Sequence, residues 1–182
     1  MTYERLNAPP PRARLMAHPG PFEPVRIERL HAQTGRHVRL TLEPGQTLYD
    51  GIVIPLSRLG ISSASMTILG GYTESLDYCV TTPDPSKRSV IVYTKPIQVR
   101  QAYFIFGNAT LGLSSKGAPL VHCHAALRTA QGDIQGGHII TEATIVGPAP
   151  ISVLVTSFAG VELRQTYDPE INLSVLKPHK EP

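Results

Sequence analysis

Between residues 62 and 158 the chain alternates short apolar-rich runs with turn chemistry, and this punctuation excludes most folds. The runs span 62–70, 75–81, 88–94, 99–107, 119–129, 134–145 and 151–158. Between them lie Gly70-Gly71, Pro83-Asp84-Pro85, Gly107-Asn108, Ser114 to Gly117 and Gly147-Pro148-Ala149-Pro150, residue types that accept positive φ, fix φ or hydrogen-bond their own backbone. Parallel strands would need crossovers of roughly a dozen residues or more. These connectors are shorter, so the spacing argues for antiparallel neighbours and against a doubly wound fold.

Ahead of this region, Arg36 to Leu42 alternates polar and apolar residues and ends in the turn Glu43-Pro44-Gly45-Gln46, which predicts another strand. Residues 47–60 carry apolar side chains at 48, 49, 52, 53, 56 and 59, a helical stripe with Thr47 as N-cap and Gly60 just past the end. Gly51 and Pro55 weaken that helix. The expected class is α+β: a largely antiparallel sheet covered by one main α-helix.

The two ends differ from the middle. Residues 1–26 contain Pro9, Pro10, Pro11, Pro19, Pro21 and Pro24 among scattered arginines and predict an extended arm. Within it, Pro11-Arg12-Ala13-Arg14 is faintly similar to an AT-hook, although Ala13 stands where that minor-groove motif has glycine. Residues 27–167 form the expected domain, and 168–182, rich in Lys and Pro, read as a tail. With 182 residues the chain can bury a core without a structural metal or disulfides, so a metal here would serve function.

Other classes are narrowed by composition. Seventeen Lys and Arg against fourteen Asp and Glu give a net charge of +3, basic but without the dense clusters of a dedicated nucleic-acid binder. No apolar run approaches the ~20 residues that span a bilayer, and the first residues, Met1 to Asn7, lack the apolar core of a secretory signal. A soluble, cytoplasmic protein is expected. Cys79 and Cys123 lie at no metal-ligand or disulfide-framework spacing and read as buried thiols. No glycine-rich loop opens a helix, which argues against a nucleotide cofactor.

Three of the seven histidines fall in Pro119 to Ile140, two strand-like runs around a Gly-Asp turn. His122 and His124 are two apart, so a strand puts both on one face and Cys123 on the other. If Ala130-Gln131-Gly132 is a three-residue loop, Thr129 pairs with Asp133 and His124 comes to lie opposite His138. A two-residue loop would send His138 to the other face, and a bulge at Gly136-Gly137 would shift the register again. Three imidazoles on one point suit Zn²⁺ or another divalent transition metal and leave a position open. His31 and His37 have no partner at such spacing and read as solvated strand residues.

Leu42-Glu43-Pro44-Gly45, Phe106-Gly107-Asn108, Pro119-Leu120-Val121-His122-Cys123-His124 and Gly132-Asp133 with Gly136-Gly137-His138-Ile139 resemble the PPC domain, found alone in prokaryotes and behind AT-hooks in plants. The resemblance covers about residues 27–167. It implies a strongly twisted sheet, a homotrimer, and zinc bound by His122, His124 and His138. Where family members carry an acidic residue at the start of the next strand, this chain has Pro150-Ile151-Ser152, with Glu142 as the candidate substitute.

Three readings follow as expectations. One is a non-catalytic, trimeric metal- and ligand-binding module that contacts DNA or another protein, as plant relatives do. The other is a metal-dependent enzyme acting on a small oxo-acid, because the PPC fold is similar to that of acetolactate decarboxylase; Arg100, Lys116 and Glu142 are then candidate anion clamps or acid/base groups. A third is a purely structural trimer with its histidines packed at subunit contacts.

Overall fold

The computed structural model describes residues 16–24 and 28–181; the AT-hook-like Pro11 to Arg14 lies outside them. Twelve strands and one helix follow in the order β1 His37–Leu42, α1 Leu48–Arg58, β2 Ala64–Ile68, β3 Gly71–Cys79, β4 Thr81–Pro83, β5 Ile91–Tyr93, β6 Ile97–Leu113, β7 Pro119–Arg128, β8 Ile134–Ile139, β9 Ile145–Val146, β10 Ile151–Ser157, β11 Val161–Asp168 and β12 Leu173–Lys180. This is the expected α+β class. No helix among the described residues is long and apolar enough to cross a membrane.

Ten strands share one sheet, in the order β1-β10-β2-β6-β7-β8-β3-β9, with β11 and β12 attached through β6. Every pairing is antiparallel except that of β11 with β6, at Arg164 and Leu113. The long β6 organises the rest: its first half pairs with β3 and its second with β2, while β7 runs along the other edge. Because β8 pairs with both β7 and β3, β6, β7, β8 and β3 close into a ring. Inside lie Leu76, Phe104, Leu127 and Ile139, all 0–1% exposed.

The helix forms where its end signals stand. Thr47 Oγ1 accepts from the Asp50 amide at 2.9 Å, Leu59 caps the far end, and Gly60 follows at φ 66°, the left-handed turn glycine accepts most easily. Leu48, Ile52 and Leu56 face the core at the four-residue spacing of one helix face. Gly51 lets the helix lie against β1, since a Cβ there would sit 3.0 Å from Leu42 Cδ2.

Three local expectations are corrected. Gly107-Asn108 is no turn but the middle of β6, with Asn108 paired to Thr67 on one side and His124 on the other; glycine is needed because a Cβ at 107 would meet the Phe104 ring at 2.5 Å. The run 134–145 is not continuous. It breaks after Ile139, because Thr141 and Thr144 turn their carbonyls to the Tyr49 and Leu48 amides at 3.1 and 2.9 Å, donors that a helix N-terminus cannot satisfy internally. Finally, Leu173–Lys180, within the segment that composition marks as a tail, is a strand paired along its length with β11. Pro178 is tolerated because β12 has no second neighbour and an edge strand can lack a donor.

Of the N-terminal arm, residues 16–24 lie against the turn that joins β11 to β12. The Gly20 amide donates to the Glu170 carbonyl at 2.9 Å, the Glu23 amide to Glu170 Oε2 at 2.8 Å, and His18 Nδ1 lies 2.5 Å from Glu170 Oε1.

Candidate metal centre

The β7–β8 hairpin has the three-residue loop. The Thr129 amide donates to the Asp133 carbonyl and the Gly132 amide to Thr129, both at 2.9 Å, and Gly132 takes φ 94°. That loop fixes the register, so His124 pairs directly with His138. His122 leaves β7 on the same face, while Cys123 is fully buried in the core behind them.

Between β7 and β3, β8 fits only because it carries two glycines. A Cβ on Gly136 would lie 2.3 Å from the Ala125 carbonyl oxygen, and one on Gly137 would lie 2.4 Å from that of Cys79. This close approach brings the imidazoles together. One ligand atom from each of His122, His124 and His138 falls within 4.8 Å of the others. Ring centroids are 4.8 Å apart for His122 with either neighbour and 5.6 Å for His124 with His138.

The electrostatics fit a cation better than they fit protons. Burial pushes the His122 pKa down from 6.5 to about 4, and charge on His138 or His124 pushes it the same way. Burial also lowers that of His138, with His124 adding to the effect and Glu142 opposing it. Neutral imidazoles are the metal-binding form. The Nδ1 of His138 is buried without a hydrogen-bond partner among the described residues, an orphaned atom of the kind a buried polar group ordinarily avoids. The donor set and the orphaned atom therefore suit a divalent transition metal.

Next to the histidines lies a cavity of about 820 Å³, lined by His122, His138, Glu142 and Tyr93 and closed by residues of β5, β11 and β12. The Tyr93 ring stands 5.2 Å from that of His138. Cys79 pairs directly with His138 and lines the same cavity, a neighbour that its spacing in sequence did not reveal. The apolar residues of β12 are the other lining that sequence reasoning missed; the alternation of Leu173, Ser174 and Val175 is the signal that would have found them.

Of the three candidate helpers only Glu142 lines this cavity. Arg100 is exposed on β6, paired with Ser75, and Lys116 is exposed in the β6–β7 turn. His31 is exposed, and His37 lies on β1 with Nδ1 3.1 Å from Thr156 Oγ1. Both are apart from the cluster.

A family model described as the Plants and Prokaryotes Conserved (PCC) domain matches residues 29–159, more than half of the chain. Among solved structures, a metal-containing protein from Archaeoglobus fulgidus superposes with a TM-score of 0.69 at 18% identity, covering 83% of this chain and 99% of its own. A plant- and prokaryote-conserved protein from Pyrococcus horikoshii gives 0.63 at 19% identity, with 85% and 100% covered. A candidate DNA-binding protein from Ralstonia eutropha JMP134 gives 0.63 at 20% identity, with 76% and 89% covered. No curated protein sequence matches the chain.

Proposed function

The chain belongs to the Plants and Prokaryotes Conserved domain family, and from that premise we propose that it is a cytoplasmic, homotrimeric metal-binding protein whose His122, His124 and His138 hold one zinc ion and leave a coordination position open to a ligand. The observation that carries this reading is the convergence of three ligand atoms within 4.8 Å, with His138 Nδ1 buried and unpartnered. The Archaeoglobus neighbour, a metal-containing protein, supports it. When bound, zinc with an open position supplies a Lewis acid; Glu142 is the group of this chain placed to accept a proton or hydrogen bond beside it.

Metal analysis of the purified protein tests the reading. About one zinc per chain is expected, in keeping with three imidazoles and an open fourth position. Protein without a transition metal, or a content unchanged in His124→Ala, would remove it.

The trimer has its support in the open face of the sheet. Tyr72, Tyr103, Phe106 and Ile134 are 40–66% exposed; Tyr72 pairs with Tyr103, and Arg128 stands between Tyr103 and Ile134 in the same row. Exposed aromatic and aliphatic side chains on neighbouring strands support an association surface. Sedimentation equilibrium is expected to give three chains, and a monomer would overturn the assembly.

DNA contact rests on neighbours such as the candidate DNA-binding protein of Ralstonia. A mobility shift with duplex DNA at physiological salt tests it; retention no greater than for any polyanion removes it.

A further inference from the structure

We propose that the cavity beside the histidines binds a small molecule with an apolar chain and an oxygen-bearing head, the chain lying under β5 and β12 and the head against His122, His138 and Glu142. This rests on the metal reading above and adds what enters the site.

The walls argue for the apolar chain. Ile91 on β5 and Leu173, Val175 and Leu176 on β12 line the cavity, and about 820 Å³ is within the size range of small-molecule sites. The walls are tied to each other. The Val90 amide donates to the Ile171 carbonyl at 3.0 Å, Asn172 Nδ2 donates to the Arg88 carbonyl at 2.6 Å, and Ser89 Oγ donates to the Asn172 carbonyl at 3.1 Å. A ligand therefore enters a preformed space and orders little on binding.

Charge argues for the oxygen-bearing head. Among the described residues the lining contains no Lys or Arg, and its one carboxylate is Glu142. The positive charge of the site is then that of the divalent ion held by the histidines, which draws an oxygen donor, neutral or anionic, to the open position. A hydroxamic acid supplies oxygen donors for that position and an N–H that can be directed to the Glu142 side chain.

Full-length, zinc-loaded protein titrated calorimetrically with acetohydroxamic and octanohydroxamic acids tests the proposal, with zinc measured on the same samples. Octanohydroxamic acid is expected to bind about tenfold tighter or more, because added methylenes leave water. Ile91→Glu and, independently, Leu176→Glu are expected to bring the ratio below about threefold with zinc content unchanged. Equal affinities in zinc-containing wild type overturn the cavity proposal and leave the metal reading standing. So does a chain-length preference that survives in both folded variants, which would place the chain elsewhere. Wild type without zinc overturns the metal reading, and this inference with it.

Discussion

His124 and His138 stand directly opposite each other on β7 and β8, their rings 5.6 Å apart at 84°. In that position each imidazole is held by a different strand and the pair by one hairpin register. Removing either side chain leaves two ligands for a metal that takes four. His138→Ala is therefore expected to weaken zinc binding by more than about 100-fold, beyond the roughly 10–100-fold effect of losing an outer hydrogen-bond partner. His37→Ala, on β1 and outside the cluster, is expected to change nothing. Competition with a chromophoric chelator measures both, and equal affinities for the two variants would sink the assignment.

The same hairpin depends on glycine at 137. A methyl group there would meet the Cys79 carbonyl oxygen at 2.4 Å and the Tyr78 ring at 3.0 Å, and neither backbone nor a buried ring yields easily. Gly137→Ala is expected to destabilise the protein by about 1–3 kcal/mol, the usual effect of overpacking. It is also expected to weaken zinc binding, because β8 must shift and His138 shifts with it. Urea unfolding and the chelator competition together check this; a variant with wild-type stability would contradict the close packing of β8 between its neighbours.

Where structure followed local chemistry, the sequence was legible. Thr47 and Gly60 bound α1 as N-cap and left-handed terminus, and the turn chemistry around Gly132 marked the hairpin loop, since both depend on a few adjacent residues. Legibility failed where a distant partner decided. Gly107 is small for the sake of the Phe104 ring, not for a turn. The strand after Ile139 stops because helix α1 offers unsatisfied amides. Leu173 to Lys180 pairs with β11 despite Pro178, and no local pattern says that this ribbon closes a cavity over the histidines. Parity put His122 and His124 on one face, while the loop length that brings His138 opposite His124 was left open by the sequence, as were the walls around them.

Stability of the metal-free protein should depend on pH through the same cluster. His122 titrates near 6.5 when unfolded and at about 4 when folded, chiefly because of burial; His138 is lowered in the same direction. Between those values the unfolded chain binds more protons, so stability falls as pH drops from about 6.5 to about 4 and levels off below. The carboxylates with lowered pKa, Asp84 and Glu162, start from 3.8 and 4.5, so their contribution is lost only at the acid end of this window. Urea midpoints in the presence of chelator are expected to decline from pH 7 to pH 5, and His122→Asn should flatten the decline. A midpoint constant over that range would exclude the burial of neutral imidazole as its cause.

The last prediction separates the fold's support from the site itself. Thr47 accepts from the Asp50 amide at the end of α1 whose Leu48 and Tyr49 amides hold the Thr141–Thr144 turn, and that turn carries Glu142 to the cavity. Loss of the cap in Thr47→Ala is expected to lower stability by about 1 kcal/mol. The helix end then frays more often, and because its amides are the donors to the turn, hydrogen exchange at Leu48 and Tyr49 should quicken. The histidines lie on β7 and β8, outside this linkage, so zinc affinity should stay at the wild-type value. Faster exchange with unchanged zinc binding is the expected pair of results; a loss of zinc affinity on Thr47→Ala would mean that the helix, and not the hairpin register alone, holds the three imidazoles in place.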